Sequence, residues 1–162
     1  METQNQTNLT SIKKLYISKR AKVLRDTFDK TNSNIQGFVS EVESSTFNAT
    51  KDELLFARSL SWMQNSLQTE CNIADLAKVL NVSVRKIQRL FSFFLDRTYT
   101  SVLLDMRIES AKHLLSQQKY SIGEVGFMVG IKDHAYFTYL FRKKSEMTPS
   151  EFRISLIQAE IA

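Results

Sequence analysis

The 162-residue chain is predicted to be all-α, with two helix-turn-helix subdomains joined by a long linker helix. Three observations carry that expectation. Glycine (4) and proline (1) are too scarce for a turn-rich β-fold and favour helices with short connections. Apolar residues recur at helical spacing through the second half of the chain. One helix–turn–helix pattern also occurs twice, about fifty residues apart.

The elements follow in order. Residues 1–10 (METQNQTNLT) are polar and without periodicity, as expected of a disordered tail. Ser11 to Phe28 is a basic helical candidate. Ile12, Leu15, Tyr16, Lys19, Val23, Leu24 and Phe28 fall near one stripe, with Lys13, Lys14, Arg20 and Arg25 mostly off it. Residues 29–50 are polar, and a linker with at most a short strand is expected there. Residues 1–50 are therefore expected to be a flexible tail, a basic helix and a linker, and residues 51–158 the double helix-turn-helix unit. That unit opens with a helix from Thr50 to Gln68. Thr50 and Glu53 give its capping box, and Leu54, Leu55, Arg58, Trp62 and Leu67 its loose apolar side. Shorter helices are expected at about 73–80, 83–95, 99–117, 121–129, 133–145 and 149–158.

Two of these pairs share a design. In IADLAKVLNVSVRKIQRLF, the first helix packs Leu76, Ala77 and Leu80. Asn81 then supplies a residue that tolerates the left-handed turn, and Ser83 an N-cap. The second helix packs Val84, Ile87, Leu90, Phe91 and Phe94 and leaves Arg85, Lys86, Gln88, Arg89 and Ser92 outside. IGEVGFMVGIKDHAYFTYLF repeats this with Val125, Gly126 and Val129 packed, Gly130 at the turn and Asp133 as cap. Phe137, Leu140 and Phe141 form its core stripe. A helix, a tight turn and a second helix polar on one side is the helix-turn-helix signature.

At these residues the chain resembles the DNA-binding domain of the AraC/XylS family of bacterial transcription regulators. The likeness covers about 72–153 and rests on LAKVLNVSVRKIQRLF, on LLDMRIESAKHLL with Arg107 and Ala111, and on SIGEVGFMVGIKDHAYFTYLFRKKSEMTPSEFR. The chain departs from the family pattern in having Ile131 after the turn glycine, Asp96 and Glu146 at glycine positions, and Tyr99 where proline is common. It also has Tyr139 where a base is common. The upstream segment SIKKLYISKRAKVLRDTF resembles the end of a receiver domain in two-component response regulators, with 50–68 as the joining helix. That likeness implies a chain that is the output end of a larger regulator.

The resemblance implies sequence-specific binding to double-stranded promoter or operator DNA. An α-helix enters the major groove, where arginine can bond guanine O6 and N7, and glutamine adenine N6 and N7. Arg85, Gln88 and Arg89 of the first motif are the expected base readers, with His134, Ala135, Thr138 and Tyr139 on the second. Ala135 and Thr138 suit thymine methyl groups. Lys86, Ser92, Arg142, Lys143 and Lys144 are the expected phosphate contacts. RNA polymerase is the expected protein partner, and a homodimer would form through the upstream residues. The net charge of +5 and pI of about 9.4 agree with an anionic partner.

Other chemistry has little support in the sequence. No ligand-spaced cluster surrounds His134, His113 suits a structural place on the linker helix, and Arg107 a structural ion pair. Cys71 is the single cysteine, which excludes an internal disulfide and suits an ordinary thiol in a reducing compartment. Without a glycine-rich phosphate loop, nucleophile elbow or metal box, neither an enzyme nor a cofactor is expected. No apolar run approaches eighteen residues, so no membrane partner and a cytoplasmic location are expected. The competing function is a degenerate helix-turn-helix module that docks a protein, motivated by Ile131, Tyr139 and Glu146.

Overall fold

The computed structural model describes residues 50–69 and 71–161, and among them every regular element is a helix. The expectations for the tail, the basic helix and most of the linker, residues 1–49, lie outside the described residues. Helix α1 spans Lys51–Asn65 and opens with the expected capping box. The Glu53 carboxylate accepts the Thr50 N–H at 2.6 Å, while the Thr50 hydroxyl accepts from Glu53 N.

The buried face of α1 differs from the expected one. Phe56, Ala57, Leu60 and Met63 are buried, whereas Leu54, Leu55 and Trp62 only flank the core and Arg58 is exposed. Leu67 lies beyond the helix and is buried in the loop that follows. Both apolar sets have helical spacing, so α1 alone cannot say which one faces inward. Partner geometry decides it. The Phe56 ring stacks on Phe94 at 4.7 Å and meets Phe91 edge-on at 5.2 Å.

Helices α2 (Ile73–Val79) and α3 (Val84–Leu95) form the first motif, capped by Asn72 and Ser83. Helices α5 (Ile122–Met128) and α6 (His134–Ser145) form the second, capped by Ser121 and Asp133. The two turns are built alike. Asn81 and Gly130 take positive φ (52° and 78°), and the N–H groups of Val82 and Ile131 reach back to Ala77 O and Gly126 O, both at 2.9 Å. Asn81 and Gly130 themselves bond Lys78 O and Phe127 O. This is the Schellman closure of a helix, completed by an apolar residue one step past the left-handed one. Ile131 is that residue and is 5% exposed. The departure from the family's usual residue there is a substitution within the core.

Between the motifs runs α4 (Tyr99–Ser116), 18 residues and roughly 27 Å long at 1.5 Å per residue. α7 (Pro149–Ile161) closes the chain against α4 and α6. Tyr99, Val102, Leu103 and Met106 of α4 enter the first core, while Ile108, Ala111 and Leu115 enter the second. At about 100° per residue these two sets occupy nearly opposite faces of one helix. α1 packs on α3 as α4 packs on α6, so α4 closes one subdomain and opens the next.

Two polar side chains lie in the seams between those faces. The Arg107 Nη2 donates to Thr69 O at 3.1 Å in the loop after α1, a hydrogen bond to backbone in place of the expected ion pair. Arg153 on α7 does the same for Tyr120 O in the loop after α4. Asp105, 7% exposed, is held by Arg97 and by Lys144, the latter at 2.6 Å. Gly130 completes this junction. A Cβ there would press on the Leu67 carbonyl oxygen and approach Arg107 Nη2 at 3.0 Å.

Tyr99 fills its site for a stated reason. Its hydroxyl donates to Cys71 O at 3.2 Å and lies 3.1 Å from Cys71 Sγ, pinning the loop before α2. Burial, then the Cys71 bond, raises the Tyr99 hydroxyl well above its ordinary value, and burial likewise pushes the Cys71 thiol up. Both remain protonated, as suits a structural thiol. His113 is exposed on α4, with Nε2 3.3 Å from Gln117 Nε2, and contributes nothing to the core.

Two substitutions test the turn geometry. Gly130→Ala is expected to lower the unfolding free energy by about 1–3 kcal/mol in urea titration, since it adds both left-handed strain and a collision with Leu67. Gly123→Ala, whose Cβ would meet nothing closer than 3.9 Å, is expected to raise it by roughly 0.5–1 kcal/mol. Glu146 ends α6 at φ 63° with no apparent need for a carboxylate there. Left-handed strain of about 1–2 kcal/mol, less the entropy of a new glycine, gives a net gain of roughly 0.5–1 kcal/mol for Glu146→Gly in the same titration.

Candidate nucleic-acid interface

The ring contacts between α1 and α3 turn Ile87, Leu90, Phe91 and Phe94 inward. Helical spacing then sends Arg85, Gln88, Arg89 and Ser92 outward, and all four are exposed. None of Arg85, Gln88 or Arg89 is engaged in a hydrogen bond or ion pair among the described residues. This leaves two guanidinium forks and an amide free on one helical surface. Such groups match the paired acceptors and donors on base edges.

Lys86 is placed otherwise. Its Nζ sits 2.7 Å from both oxygens of Asp52 on α1, so a phosphate would compete with that carboxylate for it. Asp52 stands in the first turn of α1, where the helix dipole also favours its charge.

On α6, Phe137, Leu140 and Phe141 are buried, and His134, Ala135, Tyr139, Arg142 and Lys143 are exposed. Thr138 is half-buried, so its methyl group is less accessible than its neighbours. Tyr139 is 58% exposed and lies under Lys143, whose Nζ is 5.8 Å from the ring centroid. Lys144 bends back to Asp105. Burial, then the Arg97 and Lys143 cations, hold its ammonium below the usual lysine value. Of the three consecutive bases near the end of α6, Arg142 makes no side-chain hydrogen bond or close ion pair among the described residues, although its charge helps hold the Glu151 carboxyl below its usual value. The second face is thus less basic than its sequence suggests.

Tyr99, Asp52 and Asp105 do not figure in the sequence-level site, yet each positions it. Asp105 had a visible signal: it is an isolated acid between Leu104 and Met106 in an otherwise apolar run. The Asp52–Lys86 pair spans 34 residues and had none. Around His134, no three His, Cys, Asp or Glu side chains among the described residues gather where they could share a metal ion. No helix among them is long and apolar enough to cross a membrane.

Comparison with known proteins agrees with the helical fold. Residues 76–155 match a helix-turn-helix domain family. The chain is 33% identical over 101 residues to the raffinose operon transcriptional regulatory protein RafR of Pediococcus pentosaceus, covering 62% of this chain and 36% of that one. To the arabinose operon regulatory protein of Escherichia coli (strain K12) it is 38% identical over 82 residues, 51% of this chain and 28% of that one. The chain therefore spans about a third of the length of these curated relatives. An AraC-type DNA-binding domain protein from Chromobacterium violaceum superposes with a TM-score of 0.61 at 27% identity, covering 64% of this chain and 93% of that one. The C-terminal domain of AraT, a response regulator from Geobacillus stearothermophilus, shares the fold with a TM-score of 0.61 at 23% identity, covering 65% and 88%.

Proposed function

We propose, from the premise that this chain belongs through residues 76–155 to the AraC-type helix-turn-helix family, that it regulates transcription by binding specific double-stranded DNA. In this reading α3 and α6 enter successive major-groove segments on one face of the duplex. The observation that carries it is the outward surface of α3, where Arg85, Gln88 and Arg89 stand exposed and unengaged. α4 supplies a spacer of roughly 27 Å, comparable with the ~34 Å helical repeat between successive grooves.

The roles divide unequally. Arg85, Gln88 and Arg89 read bases. His134, Ala135 and Tyr139 approach bases from α6, with Thr138 behind them. Arg142, Lys143 and Ser92 hold phosphates. Lys86 and Lys144 add to the local positive potential while remaining tied to Asp52 and Asp105. Residues 1–50 serve as the link to a signalling module and as a route to dimerisation, and RNA polymerase is the protein partner at the promoter. The setting is the cytoplasm.

The test is fluorescence anisotropy with a duplex chosen by the full chain from random DNA, titrated across salt. Arg85→Ala and Arg89→Ala are each expected to weaken binding by roughly tenfold or more, at about 1–3 kcal/mol per base contact, and to relax the choice of base. Arg142→Ala is expected to weaken all duplexes alike and to reduce the salt slope by about one. Lys86→Ala is expected to cost less than Arg85→Ala. Affinity indifferent to all of these substitutions contradicts the reading and leaves the protein-docking alternative.

A further inference from the structure

We infer that Asp105 is the positioning residue that sets the register of the two recognition helices, and with it the spacing of the two DNA segments the protein accepts. The inference rests on the two-motif reading above for its consequence in DNA, though not for its structural content. Asp105 stands on α4 where the faces serving the two cores meet. Its carboxylate is shared. One cation, Arg97, comes from the turn that leaves α3, and the other, Lys144, from the last turn of α6 at 2.6 Å.

One buried anion therefore joins the C-terminal ends of both recognition helices to the same point of the linker. Arg97 also donates to Ser101 at 3.1 Å, which fixes the guanidinium along α4. On the other side of α4, Arg107 and Gly130 close the second seam against the Leu67–Thr69 loop. The two subdomains touch through both seams. Of these, the Asp105 seam is the one whose two partners flank the DNA-facing helices directly.

The physical consequence is specific. Without the anion, Arg97 and Lys144 become two neighbouring cations that repel each other, and the end of α6 loses its tie to α4. Each motif keeps its own core, because neither the phenylalanine cluster around Phe56 nor that around Phe137 uses Asp105. A change there is then expected to loosen the angle between motifs while each still binds its own segment. A residue with a merely stabilising role would instead weaken binding to every spacing equally.

The experiment compares the full chain with Asp105→Asn and Lys144→Gln on two readouts. In the first, the selected duplex is altered by inserting or deleting one base pair between the segments, turning one by roughly 35° about the helix axis. The unaltered protein is expected to lose about tenfold in affinity, similar to one mismatched position, and Asp105→Asn to lose less than about threefold. In the second, spin labels at Gln88→Cys and Tyr136→Cys, in a Cys71→Ser background, report the distance between α3 and α6 without DNA. A single narrow distribution is expected, broadened by Asp105→Asn and by Lys144→Gln. Lys144 lies at the surface, so its substitution keeps the test valid if Asp105→Asn fails to fold.

Equal spacing penalties in variant and parent, or unchanged distance distributions, overturn the inference. If the parent binds no DNA, the functional reading fails by itself and the distance measurement still decides the register.

Discussion

The structure depends on one helix being buried from two sides. α4 gives Tyr99, Val102, Leu103 and Met106 to one core and Ile108, Ala111 and Leu115 to the other. A helix used in this way has no broad solvent face and cannot turn about its axis without exposing one core. In the seams between those two faces, Asp105 and Arg107 meet charge or backbone from both subdomains. The positions of α3 and α6 follow from that constraint. Each packs on α4, and each ends near the same carboxylate.

The two motifs are equal in backbone and unequal in chemistry. Their Schellman turns, N-caps and left-handed ends at Asp96 and Glu146 correspond closely. Their outer surfaces do not. The α3 surface keeps two arginines and a glutamine free, whereas α6 spends Lys144 on Asp105 and covers Tyr139 with Lys143. In the proposed binding mode α3 supplies most base discrimination, and α6 positions the domain through Arg142 and fewer base contacts. Ile131 and Glu146 give the docking alternative little support, because one fills the core and the other completes a helix end.

Much of this was legible in the chain itself. Helix ends could be placed because Ser83, Asp133, Asn81 and Gly130 act on their immediate neighbours, so their signals are local. Phe91, Phe94, Phe137 and Phe141 were legible because each falls on the main apolar stripe of its helix. α1 offered two stripes, and the choice between them was made by Phe91 and Phe94, more than thirty residues away in sequence. The same limit applies to charge. In sequence Arg142, Lys143 and Lys144 are three like bases, whereas folding places Asp105 beside Lys144 and the Tyr139 ring beneath Lys143. Isolated polar residues in apolar runs, such as Asp105, are the signal for such long-range pairing, although they do not name the partner.

Guanine-methylation interference on the selected duplex tests the central claim most directly, because methylation at N7 blocks contact from the major groove alone. Two helices fixed to one α4 are expected to produce two groups of interfering guanines, on one face of the duplex and about 10–10.5 base pairs apart. Arg85→Ala should remove interference from one group and leave the other. A single interfering group, or two groups on opposite faces of the duplex, would contradict the account.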